Sequence, residues 1–201
     1  MSHGKRDTGP IRLALGTVNQ LGTVPLTTER LLLRRFTYDD AEPMYRNWAS
    51  NPEVTEFLVW PTHESVEVTK AVLSQWIPAY ERPDFYLWAM AEKGSSEPIG
   101  SISVVKSDSI IRMVHIGYCL GPKWWGQGYT TEALKRLIDF FFDDVGMNRI
   151  ESRHDPRNPA SGKVMVNAGL RYEGTAREGD WNNQGISDTL YYVILSSDPR
   201  A

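Results

Sequence analysis

Gly121-Pro122-Lys123-Trp124-Trp125-Gly126-Gln127-Gly128-Tyr129-Thr130-Thr131 is the stretch that decides how this chain is read. It joins a β-like run, Ile110 to Leu120, to the most regular helical pattern in the sequence. In that pattern Ala133, Leu134, Leu137, Ile138, Phe141, Phe142 and Val145 recur at three and four residues, and Gly146 ends it. Gly126 and Gly128 allow a tight turn and a close approach of backbone to ligand. The helix that follows offers unpaired N–H groups and the positive end of its dipole. Strand, glycine turn and helix start together suit a phosphate or pyrophosphate, with Lys123 as a cation beside it. The turn is not a dinucleotide fingerprint, because Thr131 stands where the third glycine belongs, and no Gly-Lys-Ser/Thr follows as in a Walker loop. On these residues alone, a glycine turn that merely packs two elements stays open as the alternative.

Upstream, Ile110 to Leu120 alternates, with Val114, Ile116, Tyr118 and Leu120 on one face and Met113, His115, Gly117 and Cys119 on the other. Phe85 to Ala91 and Ile99 to Val105 read as a hairpin around a polar turn. Val66, Val72, Leu73, Trp76 and Ile77 form a helical stripe over residues 63–77, with Pro78 as its stop. Residues 30–36 read as a strand, and Thr37 with Asp40 as a capping box. Downstream, Arg149 to His154 is a short strand, and Asn158-Pro159 opens a helix that Gly169 closes. Two further strands, near 170–178 and 188–195, flank a turn around Asn182 to Gly185. The order β-α-α-β-β-β-α-β-α-β-β predicts an α/β or α+β fold with helices on both faces of a sheet. Residues 1–27 lack periodicity and are expected to form a flexible arm, leaving 28–197 as the folded domain.

A chain of 201 residues is long enough for one domain with a substantial core. Its 22 basic against 25 acidic residues, net −3, argue against nucleic-acid binding through an overall basic surface. The single cysteine, Cys119, excludes an intramolecular disulfide and a Cys-rich zinc site. The histidines show no metal-ligand spacing, so no metal is expected. Nor is a membrane span or a signal peptide, which leaves the cytoplasm as the default.

Three groups of residues resemble the GNAT N-acetyltransferase superfamily, and its RimJ/RimL-like branch in particular. They are Thr28 to Arg34, Ile116 to Tyr118 with Lys123 to Leu134, and Asn158-Pro159-Ala160-Ser161 with Gly169 to Gly174. The glycine turn is similar to that family's Q/R-x-x-G-x-G/A motif, with Lys123 in the Gln/Arg place. The resemblance implies a GNAT-type mixed sheet of about six to seven strands flanked by about four helices. It implies acetyl-CoA as co-substrate and a primary amine as acceptor, either a protein N-terminus or a small molecule, in a monomer or homodimer. Cys119, Leu120, Lys123, Trp124, Gly126, Gln127, Gly128, Tyr129, Thr130, Thr131, Asn158, Ser161 and Lys163 are then the expected cofactor contacts.

Acetyl transfer from a thioester to an amine needs a base for the amine, donors for the oxyanion and an acid for the departing thiolate. The resemblance implies Ser161 as the acid and, by spacing, Asp180 as the base. His115 is a second base candidate, since imidazole has a suitable unperturbed pKa near 6.5. A non-catalytic acyl-CoA sensor is the competing reading. Trp76 and Trp88 are expected in the core, and Trp48, Trp60 and Trp181 near acceptor loops.

Overall fold

The computed structural model describes residues 18–200. The strands are β1 (Leu26–Thr27), β2 (Leu31–Arg34), β3 (Leu87–Glu92), β4 (Pro98–Asp108), β5 (Met113–Leu120), β6 (Arg149–His154), β7 (Arg171–Asn182) and β8 (Gly185–Leu195). The helices are α1 (Ala41–Met44), α2 (Pro52–Thr55), α3 (Val66–Ala79), α4 (Tyr129–Asp139) and α5 (Pro159–Asn167). The strands form one eight-stranded sheet in the order β1-β2-β3-β4-β5-β6-β8-β7. This exceeds the expected six to seven strands, because β1 contributes only two residues and carries no strand pattern of its own.

Each face of the sheet carries a core. Leu31, Leu33, Trp88, Met90, Ile102, Val114 and Ile116 meet Leu134, Leu137, Phe140 and Phe141 of α4 and its continuation on one face. Phe36, Met44, Trp48, Leu73, Leu87 and Ala89 pack on the other. The apolar stripe of α4 is thus one of its burying surfaces. A wide-wound turn, Phe140–Val145, extends α4 until Gly146, at φ +84°, ends it. Pro78 does not stop α3. It sits in the last turn, where few backbone bonds are lost, and Tyr80 N–H closes that turn on Ile77 C=O at 3.3 Å. Trp88 is fully buried as expected, but so is Trp48.

Residues 18–27 do not behave as an arm. Asn19 N–H reaches Val145 C=O at 2.9 Å, and Thr23 is fully buried, bridging Phe85 C=O and Leu87 N–H. Trp88 Nε1–H donates to Val24 C=O at 2.7 Å. The packed body therefore reaches back to Val18. The rest of the expected arm, residues 1–17, lies outside the described residues.

All neighbouring strands are antiparallel except β5 and β6, which run parallel and pair only over Met113–His115 and Arg149–Glu151. Beyond His115 the two strands part. A sheet whose central parallel pair diverges leaves main-chain groups of one strand unpaired along an edge inside the sheet, and that edge positions the site.

Candidate active site

The open edge belongs to the second half of β5. Ile116 and Leu120 carbonyls point along it and are taken by side chains, Ser152 Oγ at 2.7 Å and Trp125 Nε1 at 2.7 Å. By the two-residue repeat of a strand, the main chain of Tyr118 faces the same way. A cleft of about 850 Å³ runs from this edge to the glycine turn. Its walls include Cys119, Leu120, Trp124, Gly126, Gly128, Tyr129, Thr130 and Thr131 on one side, with Asn158, Ser161 and Lys163 on the other.

Local chemistry explains the turn. Gly128 caps α4 at φ +82°, a conformation that disfavours a side chain. The first helical bond is Glu132 N–H to Gly128 C=O at 3.0 Å, so the amides of Tyr129, Thr130 and Thr131 precede the ladder. Arg30 holds the turn from β2's side: Nε pairs with Glu132 at 2.6 Å, Nη1 donates to Gln127 C=O at 2.9 Å, and the guanidinium lies over the Tyr129 ring. Glu92 closes the other side by accepting from Tyr129 Oη at 2.7 Å and Trp124 Nε1 at 3.1 Å. Free amides on a fixed turn fit a pyrophosphate, and the elongated cleft beside the open strand edge fits an extended arm.

On the far wall, Asn158 Oδ1 accepts from Ser161 N–H at 3.3 Å, capping α5 as its sequence predicts. Gly162 lets this helix lie against β6, because a Cβ there would meet His154 Nε2 at 2.6 Å. Ser161 consequently faces β5: its Oγ donates to Tyr118 Oη at 3.1 Å, and Tyr118 Oη donates to Ser161 C=O at 2.9 Å. Tyr118, Ser161, Asn158, Phe57 and Leu58 also line a second, smaller cavity of about 130 Å³. Arg153, His154 and Asp155 of β6 and its exit complete that cavity.

Not every expected site residue reaches these cavities. Lys123 and Gln127 face away: Gln127 Nε2 donates to Lys123 C=O at 2.8 Å, and Lys123 Nζ sits 5.0 Å from the Trp124 ring. His115 lies where β5 is still paired, buried with Nδ1 3.2 Å from Glu151, and lines neither cavity. Its hydrogen bond, reinforced by Arg149, holds the Glu151 carboxyl below its ordinary pKa. That geometry gives His115 a place in a buried polar cluster, away from the lining of both cavities. Asp180 stands one contact behind the smaller cavity, with Oδ2 3.0 Å from Arg153 Nε.

Other residues at the site carry no local signal. Phe57 and Leu58 follow the short α2 in an aperiodic stretch. Asn183 of the β7–β8 turn holds that stretch, its Nδ2 donating to the Thr55 and Trp60 carbonyls at 2.8 Å and its N–H to Leu58 C=O at 3.1 Å. Asp155 is buried beneath it, bound by Arg157 at 2.6 Å and Asn182 at 2.9 Å. Gly117 and Tyr118, which also line the smaller cavity, do lie in the Ile116-Gly117-Tyr118 motif.

A mixed sheet split at one parallel pair, with free amides at a helix start at one end of the split, defines a protein suited to a long phosphorylated ligand. The family model for the acetyltransferase (GNAT) domain matches residues 30–171, and the chain belongs to that family. It is an N-acetyltransferase, with acetyl-CoA as its co-substrate. It is similar to the Bacillus subtilis protein called "Uncharacterized N-acetyltransferase YoaA", at 28% identity over 85% of this chain and 96% of the relative. The Escherichia coli ribosomal-protein-serine acetyltransferase is 25% identical over 85% of this chain and 96% of its own length. Among solved structures, the microcin C7 self-immunity acetyltransferase MccE, in complex with acetyl-CoA and AMP, superposes with a TM-score of 0.76 at 20% identity, covering 83% of this chain and 93% of that one. Such a match bears on the fold. Among the described residues, no group of His, Cys, Asp and Glu is placed to hold a metal, and no helix is long and apolar enough to cross a membrane.

Proposed function

We propose that this enzyme acetylates a primary amine, a protein N-terminal amine or a small amine, by direct attack in a ternary complex. The observation that carries this reading is Ser161 Oγ, which stands where the larger cleft and the smaller cavity meet. A thioester entering from one side and an amine from the other converge at that hydroxyl. Holding both reactants there supplies much of the rate without a covalent enzyme intermediate. The unpaired main chain around Tyr118 offers N–H groups to the thioester carbonyl. Ser161 protonates the departing sulfur, and the amine's proton passes through solvent in the smaller cavity to Asp180. The resemblance of the Asn158 to Ser161 motif to the RimJ/RimL-like branch, together with the ribosomal-protein acetyltransferase among its relatives, favours a peptide N-terminus. Residues 28–197, with the packed segment from Val18, form the functional unit.

The test is release of CoA from acetyl-CoA against polyamines, amino acids and ribosomal-protein N-terminal peptides. Ser161→Ala is expected to lower turnover about 10–1000-fold with CoA affinity kept within a few-fold. Asp180→Asn should lower kcat/KM sharply, and His115→Gln should cost little. CoA binding without turnover on any amine would sink the transferase reading of this site. The reverse order of the two base variants would sink the assignment of Asp180.

A further inference from the structure

We propose that Tyr118 acts with Ser161 as a two-hydroxyl relay to the sulfur, Tyr118 being the positioning residue that polarises Ser161 and then restores its proton. This rests on the reading of Ser161 as the group that protonates the thiolate. Three observations support the relay. The two hydroxyl oxygens are 3.1 Å apart, within hydrogen-bond range. Tyr118 lines both the cofactor cleft and the smaller cavity, and its hydroxyl is bonded to Ser161, which lines both as well. Its present acceptor, Ser161 C=O at 2.9 Å, belongs to α5, whose own N–H groups can satisfy it when the phenol turns.

Ser161 now donates to Tyr118, which aims its proton away from the cleft. A thiolate at the cleft reverses this order: Tyr118 O–H donates to Ser161 Oγ, and Ser161 O–H donates to sulfur. A chain of two such bonds strengthens each member, so Ser161 becomes a better donor than an isolated serine. As the C–N bond forms and the C–S bond breaks, sulfur takes the Ser161 proton and Ser161 takes the Tyr118 proton. Tyr118 recovers a proton from solvent in the smaller cavity, which is large enough for several water molecules and receives the proton lost by the amine. The net transfer is one proton from nitrogen to sulfur. Burial pushes the phenol's pKa well up, which keeps Tyr118 protonated between turnovers.

The acceptor-independent test is the ultraviolet absorbance of thiolate in enzyme-bound CoA, titrated with pH in wild type, Tyr118→Phe, Ser161→Ala and the double variant. Charged groups around the site, Arg153, His154 and Asp155 on one side and Lys163, Glu53 and Glu56 on the other, are common to all four proteins. Tyr118→Phe should lower the thiolate fraction at fixed pH about 3–10-fold while CoA still binds. The double variant should be no worse than Ser161→Ala alone, since Tyr118 acts through Ser161. An unchanged titration in Tyr118→Phe overturns the relay, as does an effect that adds in full to that of Ser161→Ala. Loss of CoA binding in Tyr118→Phe would assign the phenol a structural role and also overturn it. If Ser161→Ala alone leaves the titration and turnover unchanged, the reading of Ser161 fails, whatever Tyr118 does.

Discussion

Gly128 and Asp155 show two ways in which one residue commits the site. At Gly128, φ is +82° and the next three amides must stay open. Gly128→Val forces a β-branched side chain into that conformation, costing about 1–2 kcal/mol, and crowds the anion position. The expected result is a lower melting temperature and no further rise on adding acetyl-CoA, read by thermal melts with and without ligand. Asp155 is held well below the usual carboxylate range, first by the Arg157 guanidinium and also by the Arg157 N–H and the Asn182 amide. A carboxyl whose pKa is depressed on folding adds stability that is complete above its unfolded value, about 3.9, and is lost as pH falls toward the folded value. Wild type should therefore lose stability below about pH 4 more steeply than Asp155→Asn, while being the more stable of the two at pH 7. Urea midpoints across that range check the sign.

Among elements, those with a local signal were legible and those held by partners were not. The stripe of α4, the Asn158-Pro159 start of α5 and the Gly169 end are each written within a few neighbouring residues. The two-residue β1 is a strand because Leu33 and Leu32 lie opposite Leu26 and Thr27. Nothing in residues 18–25 predicts that Phe85, Leu87 and Trp88 will bind them. The Thr55 to Thr62 stretch is the sharper case. It brings Phe57 and Leu58 to both cavities, yet Asn183, far along the chain, holds it there. His115 shows what residue type alone leaves out: imidazole suits a base, and the register of β5, invisible in the sequence, puts Glu151 beside it. Asn183→Ala should raise acceptor KM several-fold and leave acetyl-CoA affinity little changed. It should cost about 1–2 kcal/mol through two lost side-chain bonds. Amide exchange at Leu58 and Asn183 should stay slow, since Leu58 N–H keeps its bond to Thr55 C=O at 2.9 Å and Asn183 N–H its bond to Leu58 C=O at 3.1 Å; only the side-chain bonds to the Thr55 and Trp60 carbonyls are lost. Acceptor kinetics and denaturant melts are the measurements.

For the whole molecule, the cleft is walled by α2 and the stretch after it, by β5, by the start of α4 and by α5, so its ligand ties together parts far apart in the sequence. Acetyl-CoA at about 100 times its dissociation constant should stabilise the protein by about 2.7 kcal/mol. That is a rise of about 5–10 °C in melting temperature for a chain of this size. A rise well below this would mean that acetyl-CoA does not bind the native state alone with that dissociation constant. The layer class was legible from element order, whereas the neighbours within the sheet were not. Alternation places side chains on faces but is silent on which strand lies beside which.

The strand order β6-β8-β7 has a consequence for how the chain is made. Strand β8, which follows both of its neighbours in the sequence, takes an interior position, with β6 along one edge from Arg149 to His154 and β7 along the other. Until β8 emerges, β7 has no neighbour in the sheet, and the Asn183 turn has no hairpin to present it. The Asn183 hold on the Thr55 to Trp60 stretch is thus completed only once β8 has been translated, well after the glycine turn. A chain stopped at residue 184 would carry the whole glycine turn and still lack the hairpin that holds the stretch bearing Phe57 and Leu58 against the two cavities.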